Sequence, residues 1–89
     1  MDSYKVLISE SVDKYIEKLD SGEREKIIKR LKMLRENPHS IGEPRGSFWI
    51  LKVGASGYRI AYQVHEKEKI VHVTAIEQRS SPRYWDFYR

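Results

Sequence analysis

Apolar and polar positions alternate at two different periods along this chain, and the change of period divides it into a helical half and a strand half. Tyr4-Lys5-Val6-Leu7-Ile8 reads as a short strand, and Ser9 follows as a helix N-cap candidate, because its hydroxyl can accept from an orphan backbone N–H. Val12, Tyr15, Ile16 and Leu19 then recur at the spacing that lines one helical face, with Asp13, Lys14, Glu17 and Lys18 outside it. Asp20-Ser21-Gly22 interrupts the pattern, and Asp20 with Glu23 resembles a capping box for a second helix. The stripe of that helix is Ile27, Ile28, Leu31 and Leu34, and it stops before Asn37-Pro38. The expected product is a helical hairpin.

Residues 38–47 carry Pro38, Gly42, Pro44 and Gly46 with two serines, and so predict a loop. Beyond it the period becomes two. Phe48 to Val53 and Tyr58 to Val64 are strands joined by Gly54-Ala55-Ser56-Gly57, and Glu66-Lys67-Glu68-Lys69 turns the chain into a third strand, Ile70 to Ile76. Strict alternation points Trp49, Leu51 and Val53, then Ile60, Tyr62 and Val64, then Val71, Val73 and Ala75 toward the helices. The opposite side receives Lys52, Arg59, His72 and Thr74. Alternation alone therefore predicts a basic, uncovered sheet face. Ser80-Ser81-Pro82 opens an aromatic tail. The predicted fold class is α+β: an N-terminal strand and a two-helix hairpin packed on an antiparallel sheet, made of the three-stranded C-terminal meander plus the N-terminal strand, with a short C-terminal tail. No composition shift or repeat divides the chain, so residues 1–89 are expected to form a single domain.

Composition narrows the chemistry. With 39% hydrophobic and 34% charged residues the chain is apolar enough for a packed core, and with no cysteine it has neither a disulfide scaffold nor a thiolate zinc site. No segment approaches the ~20 apolar residues of a membrane span, and Met1 to Lys5 lacks the apolar run of a signal peptide, so a cytoplasmic location is expected. Lys and Arg number 17 against 13 acidic residues, a net charge of +4 that suits either a polyanionic partner or a soluble basic surface. The second helix carries Arg24, Lys26, Lys29, Arg30, Lys32 and Arg35, but the interspersed Glu23, Glu25 and Glu36 fit a solvated face better than a groove-binding helix. No His and carboxylate group has metal-ligand spacing, and neither a P-loop nor a serine nucleophile elbow occurs, so no metal and no cofactor are expected.

The order strand, helical hairpin, meander and tail resembles the RelE/ParE toxin superfamily over essentially the whole chain. The local part of the likeness is Arg45-Gly46, then Lys52 to Val64 with its glycine-flanked turn and Tyr58-Arg59-Ile60-Ala61-Tyr62, then Ile76-Glu77-Gln78-Arg79 and Tyr84. Lys52 and Arg79 make it similar to the RelE-like messenger RNA interferase branch. That resemblance implies a toxin of a type II toxin–antitoxin system, an endoribonuclease that cuts messenger RNA in the ribosomal A site through attack of a ribose 2′-hydroxyl on the adjacent phosphate. It implies as partners the ribosome, messenger RNA and a cognate RelB-like antitoxin, in a hetero-oligomer away from any membrane.

The implied catalytic residues are Lys52, Arg59, Arg79 and Tyr84, with Arg45, His72, Arg83 and Tyr88 contacting RNA. Fixed cations lower the barrier where negative charge gathers on phosphate oxygens, and the planar fork of Arg59 matches two of them. Lys52 can act as a cation or, crowded by arginines, as a proton acceptor. Arg79 would face the leaving oxygen, which requires the last strand to end or bend near Glu77. Tyr84 offers a phenol or a stacking surface that Trp85 provides only in part, since indole accepts no proton. RelE itself carries a lysine where this chain has Ile50, which leaves the acid and base roles open; His65 or His72 could supply a titrating group, or be ordinary strand histidines. Two other readings share the sequence: a ParE-like inhibitor of DNA gyrase, and a catalytically silent basic module that binds nucleic acid or an acidic peptide.

Overall fold

A computed structural model describes residues 3–54 and 57–78. In chain order the elements are β1 (Lys5–Ile8), α1 (Glu10–Glu17), α2 (Ser21–Met33), β2 (Glu43–Arg45), β3 (Phe48–Val53), β4 (Tyr58–His65) and β5 (Ile70–Gln78). The strands form one sheet in the order β1-β5-β4-β3-β2. The expected α+β architecture is present, with two differences of detail in the sheet. First, β1 joins β5 in parallel, pairing Lys5 with Ile70 and Ile8 with Val73, so the sheet is mixed. A parallel neighbour needs a long crossover, and the helical hairpin with the first meander strands supplies it. Second, the segment expected as a loop contains β2, antiparallel to β3, with Glu43 opposite Ile50 and Arg45 opposite Phe48. Pro44 is tolerated there because β2 is an edge strand, with one row of backbone donors unpaired in any case.

Both helix starts fall where the caps are expected, but they are built differently. Asp20 Oδ1 accepts from Glu23 N at 2.9 Å, the bond a capping box requires. Ser9 occupies the N-cap of α1 without a side-chain cap bond; its hydroxyl instead donates to the Thr74 carbonyl at 3.4 Å and ties the start of α1 to β5. Val12 and Ile16 are buried, and Tyr15 and Leu19 pack beside them. On α2 Ile27, Leu31 and Leu34 are buried, whereas Ile28 is 37% exposed. One step along a helix rotates a side chain by 100°, and Ile28 lies on the solvent edge of the stripe rather than within it.

The core fills the space between the helices and one sheet face. Leu51, Val53, Tyr58, Ile60, Tyr62, Val71, Val73 and Ile76 contribute from the sheet. Each fully buried Val, Leu or Ile contributes about 1.5–3 kcal/mol relative to exposure. The appearance of Ile76 instead of the expected Ala75 has a specific cause. Tyr62 pairs with Val73 and Ala61 pairs with Ala75, so Thr74 is an extra residue in β5, a β-bulge. The bulge exchanges the two faces of β5 from that point onward. Ile76 turns into the core, and Ala75 and Glu77 turn to the side that carries Arg59. Among the described residues no helix is long and apolar enough to cross a membrane.

Candidate functional site

A row of charged residues crosses the sheet on the face away from the helices. Lys52 on β3 stands opposite Arg59 on β4, and Arg59 stands opposite Glu77 on β5. The β3–β4 hairpin fixes this row. Gly54 and Gly57 both take positive φ, at 61° and 80°, which closes a short turn and sets Val53 against Tyr58, hence Lys52 against Arg59. Like charges placed directly opposite repel, so such a pair needs a counter-charge.

That counter-charge comes from β2. Glu43 Oε1 lies 3.0 Å from Lys52 Nζ, and Glu43 Oε2 lies 3.6 Å from Arg45 Nη2. The hydrogen bond from Lys52 holds the Glu43 carboxyl below the usual carboxylate range; partial burial opposes this, and the charges of Lys52, Arg45 and Arg59 reinforce it. Lys52 is about half exposed, and its nearest charged neighbour is a carboxylate rather than a guanidinium. Lys52 is therefore ion-paired rather than crowded by arginines, and the carboxylate beside it is Glu43. Arg59 is half-buried: its Nη1 donates to the Tyr58 carbonyl at 3.3 Å, and its Nε is shielded from solvent. The face is less open than alternation predicts, because Ile50 and Ala61 are buried on it beside the row, outside the helix-side core.

The other expected residues divide into three groups. Arg45 joins the cluster through Glu43. His72 pairs with Gln63 on β4, four residues from Arg59, and so stands roughly 13 Å along the strand from the charged row at strand rise. His65 pairs with Ile70 at the far end of the sheet and is exposed. Neither histidine is brought to the Lys52–Arg59 pair. Arg79, Arg83, Tyr84 and Tyr88 lie outside the described residues. Two members of the row, Glu43 and Glu77, were not expected. Glu43 was hidden by the density of proline and glycine around it, and Glu77 by the bulge. Among the described residues no group of His, Cys, Asp and Glu is arranged to hold a metal ion.

A helical hairpin on a five-stranded mixed sheet, with cations on the face the helices leave bare, defines a class of small toxin, and comparison with known proteins agrees. Residues 6–82 match the family described as ParE toxin of type II toxin-antitoxin system, parDE. The chain is 34% identical over 79 residues to a RelE-like toxin protein of Escherichia coli, covering 85% of this chain and 83% of that one. An arginine-to-alanine double mutant of Escherichia coli toxin RelE in the free state superposes with TM-score 0.78 at 27% identity, covering 97% of this chain and 94% of that one. The toxin of the intact Escherichia coli RelBE toxin-antitoxin complex superposes with TM-score 0.76 at 30% identity, over 88% of this chain and 99% of that one. The chain belongs to the RelE/ParE superfamily of type II toxin–antitoxin toxins, in its RelE-like branch.

Proposed function

We propose that this toxin is a messenger RNA endoribonuclease that acts on the ribosome, in the A site. The observation that carries the reading is the Glu43–Lys52–Arg59 arrangement, a carboxylate 3.0 Å from one cation of a cross-strand cation pair. Cleavage by a ribose 2′-hydroxyl needs a proton acceptor for the nucleophile and fixed positive charge for the phosphate oxygens. Glu43 accepts the 2′-hydroxyl proton. Lys52 and Arg59 stabilise the charge that grows on the non-bridging oxygens, Arg59 through its two-pronged fork. Glu43 stands directly across from Ile50, so the proton acceptor lies opposite the position where RelE has a lysine.

Arg79 takes the leaving oxygen in this scheme. After the bulge at Thr74 the alternation of β5 puts Ala75 and Glu77 on the Arg59 side. Tyr84 supplies the terminal phenol, and Arg45, His72, Arg83 and Tyr88 contact the RNA backbone and bases. Side chains carry the whole reaction in this scheme, with no metal ion among the reacting groups of the toxin. The relative solved as a RelBE toxin-antitoxin complex supports a RelB-like antitoxin as the partner of this chain, in a cytoplasmic hetero-oligomer.

The test is a ribosome-programmed cleavage assay on wild type and Glu43→Gln, with a gyrase supercoiling assay beside it. Wild type is expected to cut and Glu43→Gln to lose about 10²–10⁴-fold in rate, the usual share of a positioned proton acceptor. The match to a ParE family favours a second reading, gyrase inhibition. Supercoiling inhibition without RNA cuts would install that reading in place of the first. Absence of both activities would leave a basic binding module.

A further inference from the structure

Glu43 begins a strand of only three residues at the edge of the sheet, so its position depends on what holds the loop before it. That loop is held from inside the protein. Tyr62 is wholly buried, and its hydroxyl donates to the carbonyl of Pro38 at 2.7 Å; Pro38 is buried too. Four residues on, the chain passes over the same phenol at Gly42. A Cβ there would fall inside the Tyr62 hydroxyl and 2.9 Å from its Cζ. The next residue is Glu43. The ring itself is fixed by Trp49, which stacks on it at 6.4 Å between centroids and 16° between planes. Trp49 is also the register partner of Tyr62 and of Pro44, so one side chain bridges the core strand and the edge strand.

Packing alone does not ask for a hydroxyl at this place. A phenylalanine would fill the same volume, and a buried phenol has to find a partner. The partner found is the loop that delivers Glu43. Burial pushes the Tyr62 phenol up to about 12, so it remains a donor throughout the working range of pH. From the exposed side His39, next to Pro38, pairs with Glu66, and Glu66 accepts from the Tyr4 hydroxyl at 2.7 Å. The segment is thus gripped at Pro38 from the core and at His39 from the exposed side, just before Gly42 meets the phenol.

We infer that Tyr62 is a positioning residue for the Glu43 carboxylate: by clamping Pro38 and seating Gly42 against its ring, it sets the start of β2 so that Glu43 reaches Lys52. The consequence for catalysis rests on the reading of Glu43 as proton acceptor; the geometric claim does not.

The experiment uses the full chain and follows the Glu43 side-chain carboxyl by NMR through a pH titration, beside cleavage kinetics. The charged groups facing that carboxyl are Lys52, Arg45 and Arg59, and all three stay in place in the variants. In Tyr62→Phe the Glu43 midpoint is expected to move up toward the ordinary glutamate value. The kcat should fall about tenfold to a hundredfold with KM nearly unchanged, as for a displaced rather than a deleted group. Tyr15→Phe, which removes a phenol from the helix layer, should leave the Glu43 midpoint where it is. Gly42→Ala, which drives a methyl group into the phenol, should raise the midpoint in the same direction. The double variant should cost less than the sum of the two, since the tightest part of the clash is with the hydroxyl and a milder 2.9 Å approach to Cζ remains without it. A folded Tyr62→Phe whose Glu43 midpoint does not move overturns the proposal; where that variant does not fold, an unmoved midpoint in Gly42→Ala does so. Shifted midpoints in a protein that cuts no RNA would uphold the clamp and remove the nuclease reading.

Discussion

Replacing Arg59 by alanine separates catalysis from folding more sharply than any other single change in the row. Arg59 lies on β4, the middle strand of the sheet, with Lys52 opposite on one side and Glu77 on the other. What the fold loses includes a hydrogen bond to the carbonyl of the preceding residue, at 3.3 Å, the attraction of the Glu43 carboxylate, and the packing of a half-buried stem. Such a bond contributes about 1 kcal/mol, and relief of the repulsion from Lys52 offsets part of it. Each 1 kcal/mol of net cost lowers the thermal midpoint of a domain this small by about 4–8 °C. On the proposed mechanism the reaction loses a fixed donor aimed at the charged oxygens of the transition state, a loss of about 2.7–4 kcal/mol or 10²–10³-fold in kcat. Arg59→Lys keeps the charge without the fork and should fall between wild type and alanine. The assay is single-turnover cleavage of a ribosome-bound message at 25 °C, with the thermal midpoint of each protein measured in the same buffer. If the alanine variant cuts at the wild-type rate, or slows only as far as its unfolded fraction explains, Arg59 has no part in the chemistry.

Three further outcomes follow from the same geometry. Ile50→Lys does not rebuild a RelE-like site: the position is fully buried, and an ammonium forced into it should destabilise the protein by about 3 kcal/mol or more in urea denaturation, so an unchanged midpoint would contradict the burial. Ile27→Ala empties a fully buried place between α2 and the sheet and should cost about 2–5 kcal/mol, read as a large fall in thermal midpoint with little change in the rate per folded molecule. Acid should destabilise the fold in a definite window. Glu43 and Glu66 are both held below the ordinary carboxylate range, Glu43 mainly by Lys52 and Glu66 mainly by the Tyr4 hydroxyl and His39. The stability these groups add is full above the unfolded carboxylate pKa and is lost as pH falls through their lowered folded values. Thermal midpoints measured from neutral to acidic pH should decline there, and Glu43→Gln should flatten part of the decline.

Most of the fold was legible where one local rule decided the outcome. The N-cap at Asp20 and the alternation of Trp49, Leu51 and Val53 depend on neighbours in sequence, and both hold in the structure. That Lys52 and Arg59 share a face was legible for the same reason, because alternation within each strand of the hairpin decides it; their direct pairing came with the structure. The parallel direction of β1 was not, since it follows from where a crossover returns and not from any residue in the strand. Edge strand β2 was missed because Pro44 and the nearby glycines argue for a loop, while its pairing with β3 is a tertiary gain that propensity does not record. Thr74 carries no mark that it is an extra residue, and one unmarked insertion moved Ala75 and Glu77 to the other side. Glu43 fell with β2. It became visible as a functional candidate only once the strand brought it to Lys52.

The extra residue at Thr74 marks a place where the last strand can shed length without cost to its facing. Deleting Thr74 would restore uninterrupted pairing and leave Ile76 opposite Ile60 and Glu77 opposite Arg59, each on the side it already has. A deletion between Ile76 and Gln78 has no spare residue to absorb it and would slide the end of the strand past its partner.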